Sequence, residues 1–267
     1  MKICRFSTNL GVEPTVPPGA PGVFWGLLED NRLRPLEGSP FEQQRPAGPS
    51  HDRDKVRLLP PCWPSKIVCL GRNYAEHARE LEHDIPSEPL IFMKPPSAMI
   101  AAGDTIVYPE DSARVDYEGE IALVMGRRCR GLGPGETVSP YVFGYTCLND
   151  VTARDLQRKD GQWTRAKGFD TFCPFGPVIA TDVDPTKLEV RTYWNGELRQ
   201  RGSVSQMLFG FDVILRYVSR VMTLEPGDLI ASGTPAGVGP MNIGDTVEVV
   251  IDGIGVLRNT LGAGPRR

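Results

Sequence analysis

Short apolar runs punctuated by glycine and proline dominate the chain from about residue 66 onward. Runs of about four to eight such residues between turn residues are typical of β-strands. We therefore predict strands at 67–71, 89–93, 105–108, 120–126, 142–147, 177–180, 188–194, 229–232, 246–251 and 254–258.

Three segments instead have helical spacing. Residues 74–82 form the first, ended by Pro86, and residues 151–158 the second, with Asp150 or Thr152 near its N-cap. Residues 205–222 carry apolar side chains at i, i+3, i+4 and i+7. Because strands do not alternate regularly with helices, the order argues against a Rossmann or TIM architecture. It predicts a mixed β fold, a β-rich α+β protein with a twisted, roll-like sheet.

The first sixty residues are organised differently. Apolar segments 23–28 and 32–36 flank residues 29–31, which predicts a hairpin. Residues 38–64 are polar and rich in proline, which predicts a partly extended connector with no element of its own. We therefore expect a small N-terminal β domain with its connector at 1–62 and a catalytic domain at 63–267.

Composition narrows the class of protein. Of the 267 residues, 40% are hydrophobic and 24% charged, with a net charge of −3, which is ordinary for a soluble enzyme. No block of lysine and arginine with interleaved aromatics is present, so we expect no nucleic-acid partner. No segment approaches the roughly 20 apolar residues of a membrane span, and the first residues do not resemble a signal peptide. We expect a cytoplasmic protein without membrane contact.

The six cysteines are far apart in the sequence and form no CxxC pair. Most lie in or beside apolar runs. This pattern predicts reduced thiols in or near the core, and supports neither a zinc site nor a disulfide framework.

Glu118-Gly119-Glu120 opens one of the predicted strands. Side chains two residues apart on a strand share a face, about 7 Å apart, so the two carboxylates would point the same way as Ala122. Like charges on a half-apolar face repel one another and are costly to desolvate. A divalent cation between them is one interpretation, and a solvated pair at an exposed strand start is the other.

The segment 148–157 runs from a strand end into a helix. Asp150 there is either an N-cap or a third carboxylate beside the glutamate pair. Arg154 and Gln157 share a helix face. Arg154 could hold a substrate carboxylate with two hydrogen bonds, or form a surface ion pair with Asp150.

Two further positions carry candidate acid–base chemistry. Lys167 lies in a run of aromatic, glycine and proline residues and is either half-buried and paired or simply solvated. His77 and Glu80 are three residues apart on a predicted helix, the layout of a general base with the carboxylate that orients it, or a chance surface pair. The other histidines are poorer candidates, because His51 lies in the connector and His83 at a polar helix end.

Segment 227–240 is rich in glycine and proline but lacks the Gly-Lys-Ser/Thr of a phosphate-binding loop. It is either an ordinary loop or a tight turn that lets backbone and the Thr234 hydroxyl approach a small ligand.

Five segments in this order resemble the fumarylacetoacetate hydrolase family, over residues 66 to the C-terminus. They are Gly-Arg-Asn-Tyr-x-x-His-x-x-Glu (71–80), Glu-x-Glu (118–120), Asn-Asp-Val-Thr-Ala-Arg-Asp-x-Gln (149–157), Lys-x-Phe-Asp-Thr-Phe-x-Pro-x-Gly-Pro (167–177) and Gly-Asp-x-Ile-x-x-Gly-Thr-Pro-x-Gly-Val-Gly-Pro (227–240).

The resemblance implies a twisted β-roll, a homodimer and a set of residue roles. Glu118, Glu120 and Asp150 would hold Mg²⁺ or Mn²⁺. Lys167 would lie beside the bound substrate, and His77 with Glu80 would be the water-activating dyad on a mobile lid. The substrate-binding residues would be Arg72, Arg154, Gln157 and Thr234.

Two departures bear on the substrate. Leu70 stands where the larger fumarylacetoacetate-cleaving members have a fourth acidic ligand, and their long N-terminal domain is missing here. The chain looks more like the short branch of acylpyruvate hydrolases, oxaloacetate decarboxylases or tautomerases, and enzymes of homoprotocatechuate breakdown.

The resemblance therefore implies a divalent-metal-dependent hydrolase or decarboxylase. It would cleave a C–C bond in a small anionic 2-oxo acid, an acylpyruvate or a β-keto dicarboxylate, through a metal-stabilised enolate. The alternative is a 2-hydroxyhepta-2,4-diene-1,7-dioate isomerase or oxaloacetate tautomerase of aromatic or central carbon catabolism. A non-catalytic relative is disfavoured, because the dyad and all three metal ligands are present.

Overall fold

The computed structural model describes residues 1–82 and 84–264 and shows a mostly β fold with short helices, as the sequence predicts. The helices are α1 (Ala75–Glu80), α2 (Arg154–Asp160), α3 (Thr164–Gly168) and α4 (Phe211–Val221). The strands in the first half are β1 (Lys2–Ser7), β2 (Val23–Glu29), β3 (Arg32–Pro35), β4 (His51–Asp52), β5 (Arg57–Leu59), β6 (Ile67–Gly71), β7 (Leu90–Lys94), β8 (Met99–Ile100), β9 (Thr105–Tyr108), β10 (Val115–Tyr117) and β11 (Gly119–Met125). Those in the second half are β12 (Val142–Asn149), β13 (Thr152–Ala153), β14 (Cys173–Ala180), β15 (Glu189–Trp194), β16 (Glu197–Ser203), β17 (Leu229–Ala231), β18 (Gly239–Pro240), β19 (Thr246–Ile251) and β20 (Gly255–Ala263).

The strands form three sheets. The largest has twelve strands along the path β4-β3-β2-β1-β14-β12-β11-β17-β6-β7, with β5 added to β1 and β8 to β14. A five-stranded sheet has the order β16-β15-β19-β20-β9, and a three-stranded sheet the order β13-β10-β18. Strand β11 lies inside the large sheet, antiparallel to both β12 and β17, so the segment with the glutamate pair is held on both sides.

Side chains of β11 alternate between the two faces of the sheet. Ala122 and Val124 belong to one apolar cluster, whereas Ile121 belongs to a second cluster that joins the five-stranded sheet. This confirms the assignment of faces made from the alternating pattern. Gly119 faces the five-stranded sheet so closely that a Cβ atom there would lie 2.0 Å from Thr192 Oγ1. The glycine between the two glutamates is thus required for the sheets to approach.

The N-terminal strands continue the large sheet. Strands β2 and β3 are antiparallel, with Gly26 opposite Pro35 and Glu29 opposite Arg32, which confirms the predicted hairpin. Lys2 of β1 pairs with Ala180 of β14. The connector was predicted to hold no element, and this is wrong, since β4 and β5 form within it. Both are short strands that add to existing edges. The division of the chain at residue 62 stays a prediction.

The predicted helices form with shifted bounds. Helix α2 begins at Arg154 because Thr152 and Ala153 pair with β10 as β13. Helix α4 begins only at Phe211, since residues 204–206 form a separate 3₁₀ turn capped by Ser203 and Gly210 is extended. Helix α3, over part of the lysine-bearing segment, was not predicted.

All six cysteines are buried and free, as expected from their spacing. Across 1–82 and 84–264, no helix has the length and apolar character needed to cross a membrane.

Candidate active site

Three buried carboxylates meet where β11 begins and β12 ends. Gly119 pairs with Asn149, and Asp150 N–H donates to Glu118 C=O at 2.8 Å, which places Asp150 beside the glutamate pair. Glu118, Glu120 and Asp150 each offer an oxygen within 4.8 Å of the others, and none is more than 4% exposed. The interpretation of the glutamates as a solvated pair is therefore wrong. Asp150 is not an N-cap either, since α2 has Ala153 at that position.

Lys167 lies among these carboxylates and is not a solvated charge. It projects from α3, is 2% exposed, and its Nζ donates to Glu118 Oε2 at 2.7 Å and to Asp150 Oδ2 at 2.6 Å. Its Nζ also lies 5.0 Å from the ring centroid of Phe92. Burial would lower the pKa of Lys167, but Asp150 and Glu118 outweigh burial and raise it. The lysine therefore stays charged.

Arg154 forms the second cationic contact. Its guanidinium donates to Asp116 Oδ2 at 2.9 Å through Nε, to Gln157 Oε1 at 2.7 Å through Nη1, and to Glu118 through Nη2. The predicted alternative, a surface ion pair with Asp150, is wrong because Arg154 is buried and points to Asp116 and Glu118. The shared helix face predicted for Arg154 and Gln157 is confirmed, and the two side chains are hydrogen-bonded.

The two glutamates differ electrostatically although only one residue separates them. Burial would raise the pKa of Glu118, but Lys167 and Arg154 outweigh it and hold that pKa well below its usual range. Burial raises the pKa of Glu120 well above its usual range, and the like charges of Asp150 and Glu118 add to the rise. Glu118 is thus ionised, whereas Glu120 lacks the nearby positive charge that would stabilise its ionised form.

The donor set fits a divalent cation. Within the described residues Glu120 has no ion pair, and its Oε2 accepts one hydrogen bond, from Gly233 N–H at 2.8 Å. Asp150 Oδ1 is buried and accepts no aligned hydrogen bond, although Lys94 Nζ lies 2.5 Å away. Hard cations such as Mg²⁺ and Mn²⁺ bind carboxylate oxygens of this kind. A cation here would supply the charge that Glu120 lacks.

The predicted dyad is present in α1. His77 Nδ1 lies 3.3 Å from Glu80 Oε2, and the same carboxylate accepts Gly237 N–H at 3.0 Å and 3.2 Å. His77 is 5% exposed whereas Glu80 is exposed, so the histidine itself does not lie on an open surface. Because Glu80 engages Nδ1, Nε2 is the nitrogen available to move a proton. His83 lies outside the described residues, and His51 is in β4.

One cleft brings the candidates together. Of the ten predicted site residues all except Glu80 line it, and Glu80 reaches it through His77. Thr234 is buried there, and its hydroxyl donates to Gly119 C=O at 2.8 Å and lies 2.7 Å from Gln200 Nε2. The residues that line the cleft are Leu70, Gly71, Arg72, His77, Leu81, Phe92, Glu118, Glu120, Asp150, Arg154, Gln157, Trp163, Lys167 and Thr234.

Several members of the site were not predicted from the sequence. Asp116 precedes the glutamate pair by two residues, so the alternation 116, 118, 120 was a usable signal. Lys94 is fully buried at the end of β7 and donates to Val151 C=O at 3.0 Å. A lysine closing an apolar strand was its only signal. Phe92 and Trp163, an edge-to-face pair 5.1 Å apart, form the aromatic wall and had none.

Comparison with known families accounts for nearly the whole chain. Residues 66–262 match the fumarylacetoacetate (FAA) hydrolase C-terminal domain, and residues 1–61 match an Rv2993c-like N-terminal domain.

Individual relatives are similar over most of their length. Oxaloacetate tautomerase YisK from Bacillus subtilis is 43% identical over 213 residues, covering 74% of this chain and 70% of the relative. The structure of 2-hydroxyhepta-2,4-diene-1,7-dioate isomerase from Mycobacterium marinum is 41% identical with a TM-score of 0.87 over all of both chains. Maleylpyruvate hydrolase from Sphingobium sp. SYK-6, in complex with manganese(II) and pyruvate, is 29% identical with a TM-score of 0.79, covering 99% of this chain and 100% of that one.

Proposed function

Because the chain belongs to the fumarylacetoacetate hydrolase family, we propose that it is a divalent-metal-dependent enzyme that cleaves a C–C bond in a 2-oxo acid. The substrate would be an acylpyruvate or a β-keto dicarboxylate. The observation that carries the proposal is the single cleft that holds a buried carboxylate triad, a charged lysine and a histidine–glutamate dyad.

Glu118, Glu120 and Asp150 would hold the cation. When bound, the cation supplies Lewis-acid stabilisation of the negative charge that develops as the 2-oxo acid becomes an enolate. Mg²⁺ and Mn²⁺ both suit the oxygen donors. The manganese in the Sphingobium hydrolase supports the assignment by similarity.

The protein's own cations would orient and stabilise the substrate. Arg154 is held by Asp116 and Gln157, so its guanidinium is fixed beside Glu118 in the cleft, where its remaining N–H groups can position a carboxylate. Lys167 remains charged and is buried against Phe92, so its field acts in a low-dielectric environment where developing charge is stabilised most.

The dyad would decide which bond breaks. If His77 Nε2 takes a proton from water that attacks a distal carbonyl, the C–C bond is hydrolysed, and the same histidine can return the proton to the enolate carbon. If the distal group is a carboxylate, CO₂ leaves and His77 is needed only to deliver a proton. The histidine therefore matters more for hydrolysis than for decarboxylation.

The second candidate function is tautomerisation or isomerisation of a 2-oxo dicarboxylate. It is favoured by similarity to the Bacillus oxaloacetate tautomerase and the Mycobacterium marinum isomerase. It requires the same enolate stabilisation and the transfer of a proton from or to carbon, with no C–C bond broken. To distinguish C–C cleavage from isomerisation, the Mn²⁺-loaded protein is incubated with oxaloacetate, acetylpyruvate and a 2-hydroxy-dienedioate, and the products are identified. Products of unchanged carbon number from all three would reject C–C cleavage.

His77→Ala should lower kcat for acylpyruvate hydrolysis by about 10²- to 10⁴-fold, the range for loss of a general base. Decarboxylation of oxaloacetate should fall by less, because no water attacks. Pyruvate formation from acetylpyruvate and from oxaloacetate gives both rates. Equal losses on the two substrates would show that His77 does not activate water.

A further inference from the structure

Arg72 is held in a backbone conformation that few residues adopt. Its φ is +57°, in the left-handed region that is uncommon for residues other than glycine. The next residue is anchored on both sides, since Asn73 Nδ2 donates to Ser232 C=O at 2.8 Å and Asn73 Oδ1 accepts Phe209 N–H at 2.8 Å. Strained residues kept in place in this way are concentrated at functional sites.

The guanidinium of Arg72 lacks the partners that the other cations of the cleft have. Lys167 and Arg154 are each bonded to two carboxylates. Arg72 lines the same cleft, is half-buried, and makes no ion pair within residues 1–82 and 84–264. Its Nε is buried without a hydrogen-bond partner. A buried donor without a partner is costly, so this group is poised for an acceptor that enters the cleft.

The surroundings of Arg72 would strengthen such a contact. The preceding Gly71 packs so closely on Trp163 that a Cβ would lie 2.9 Å from the indole ring, and Trp163 in turn packs on Phe92. Leu70 and Leu81 also line this cleft. This apolar wall runs from Lys167 to the arginine, so an ionic contact at Arg72 would be poorly screened by water.

The charges of the cleft point to a dianion. Its lining holds three carboxylates and three permanent cations, which cancel. The divalent cation of the proposed function would leave an excess of two positive charges, and a dicarboxylate neutralises it whereas a monocarboxylate does not.

We infer that Arg72 binds the distal carboxylate of the substrate and makes the enzyme selective for 2-oxo dicarboxylates over acylpyruvates with an uncharged end. This inference rests on the proposed function, in which the other end of the substrate lies at the carboxylate triad. An alkyl or aryl end would leave the guanidinium in the apolar cleft without an acceptor.

Steady-state kinetics of Mn²⁺-loaded Arg72→Met with 2,4-dioxoheptanedioate and with its 7-methyl ester tests the inference. Hydrolysis breaks the same C3–C4 bond in both compounds and releases pyruvate, and loss of enol absorbance follows both reactions. The variant should lower kcat/KM for the dicarboxylate about 10- to 100-fold, mainly through KM, as expected for loss of a charge-assisted hydrogen bond. For the ester the change should stay within about 3-fold. Arg72→Lys should recover much of the preference for the dicarboxylate.

Arg79→Met is the matched control, because Arg79 is exposed on α1 and lies outside the cleft. This variant should leave kcat/KM for both substrates unchanged. The Kd of pyruvate for Mn²⁺-loaded Arg72→Met should equal that of the wild type, which also shows that the variant is folded. If pyruvate binding is intact and kcat/KM falls equally for both substrates, or for neither, the role of Arg72 is overturned. The proposed function would not be affected by that result. Absence of Mn²⁺-dependent pyruvate binding in the wild type would overturn the proposed function and this inference with it.

Discussion

Glu120→Gln is expected to stabilise the metal-free protein and to abolish its metal-dependent activity. Glu120 is buried beside two other carboxylates, and burial together with those charges raises its pKa well above the usual range. An amide removes this unfavourable charge and can still accept the hydrogen bond from Gly233. We expect a gain on the order of 1–3 kcal/mol in the free energy of unfolding. Turnover should fall at least about 10³-fold, since the amide is a poor ligand for a hard cation.

The gain should depend on pH. A carboxyl group with a raised pKa in the folded state is protonated in both states below its ordinary pKa of 4.5, so it then has no effect on stability. Above that value the unfolded chain releases the proton first, and the wild type loses stability as pH rises. Urea unfolding in the presence of a chelator should therefore show the variant to be more stable at pH 7 and the difference to shrink near pH 4.

Glu118→Gln is the matched control, with the same chemical change two residues away. Lys167 and Arg154 outweigh burial and depress the pKa of Glu118, so its ionised form stabilises the fold above its ordinary pKa. This variant should lose stability at pH 7, and lose less as pH falls. Both variants should be inactive. Stability changes of the same sign at pH 7 would contradict the electrostatic difference between the two glutamates.

Lys167→Met should separate metal binding from catalysis. Removing the cation leaves Glu118 and Asp150 more negative, so the affinity for Mn²⁺ should stay equal or increase. Turnover of oxaloacetate should fall by at least about 10²- to 10³-fold, because the positive charge that stabilises the developing enolate is lost. The metal-free protein should lose about 3 kcal/mol of stability, as expected when one partner of a buried ion pair is removed. Mn²⁺ titration and initial rates test the two parts independently.

Lys66→Met provides the control for stability alone. Lys66 pairs with the fully buried Asp228, in a part of the fold outside the cleft. It should destabilise the protein to a similar degree and leave kcat unchanged. If Lys167→Met lost Mn²⁺ binding together with activity, Lys167 would have to be regarded as part of the scaffold that shapes the metal site.

Local pattern predicted the strand of the glutamate pair well. Alternation of apolar residues from Ile121 onward fixed which side chains share a face, and the structure has both carboxylates on that face. Hydrophobic periodicity could not show burial of Glu118 and Glu120, because burial depends on Lys167, which is 49 residues away from Glu118 along the chain. Only the combination of separated segments, as in the family, indicated that these residues meet.

Helix bounds and partners were predicted less well for a physical reason. Pairing of Thr152 with Asp116 delays the start of α2, and the same pairing brings Asp116 to Arg154. Lys94 pairs with Asp150 because β7 ends beside that carboxylate. Such contacts arise from sheet register and are not written in either segment alone.

The central claim is that turnover requires a cation held by the carboxylate triad. The most direct test is the rate of pyruvate formation from oxaloacetate by chelator-stripped protein, before and after Mn²⁺ is restored, with Glu120→Gln at the same Mn²⁺ concentration as the measure of catalysis by free metal. We predict no turnover above background without metal and recovery on addition of Mn²⁺ to the wild type alone. Undiminished turnover by the stripped wild type, or equal recovery by Glu120→Gln, would contradict the claim.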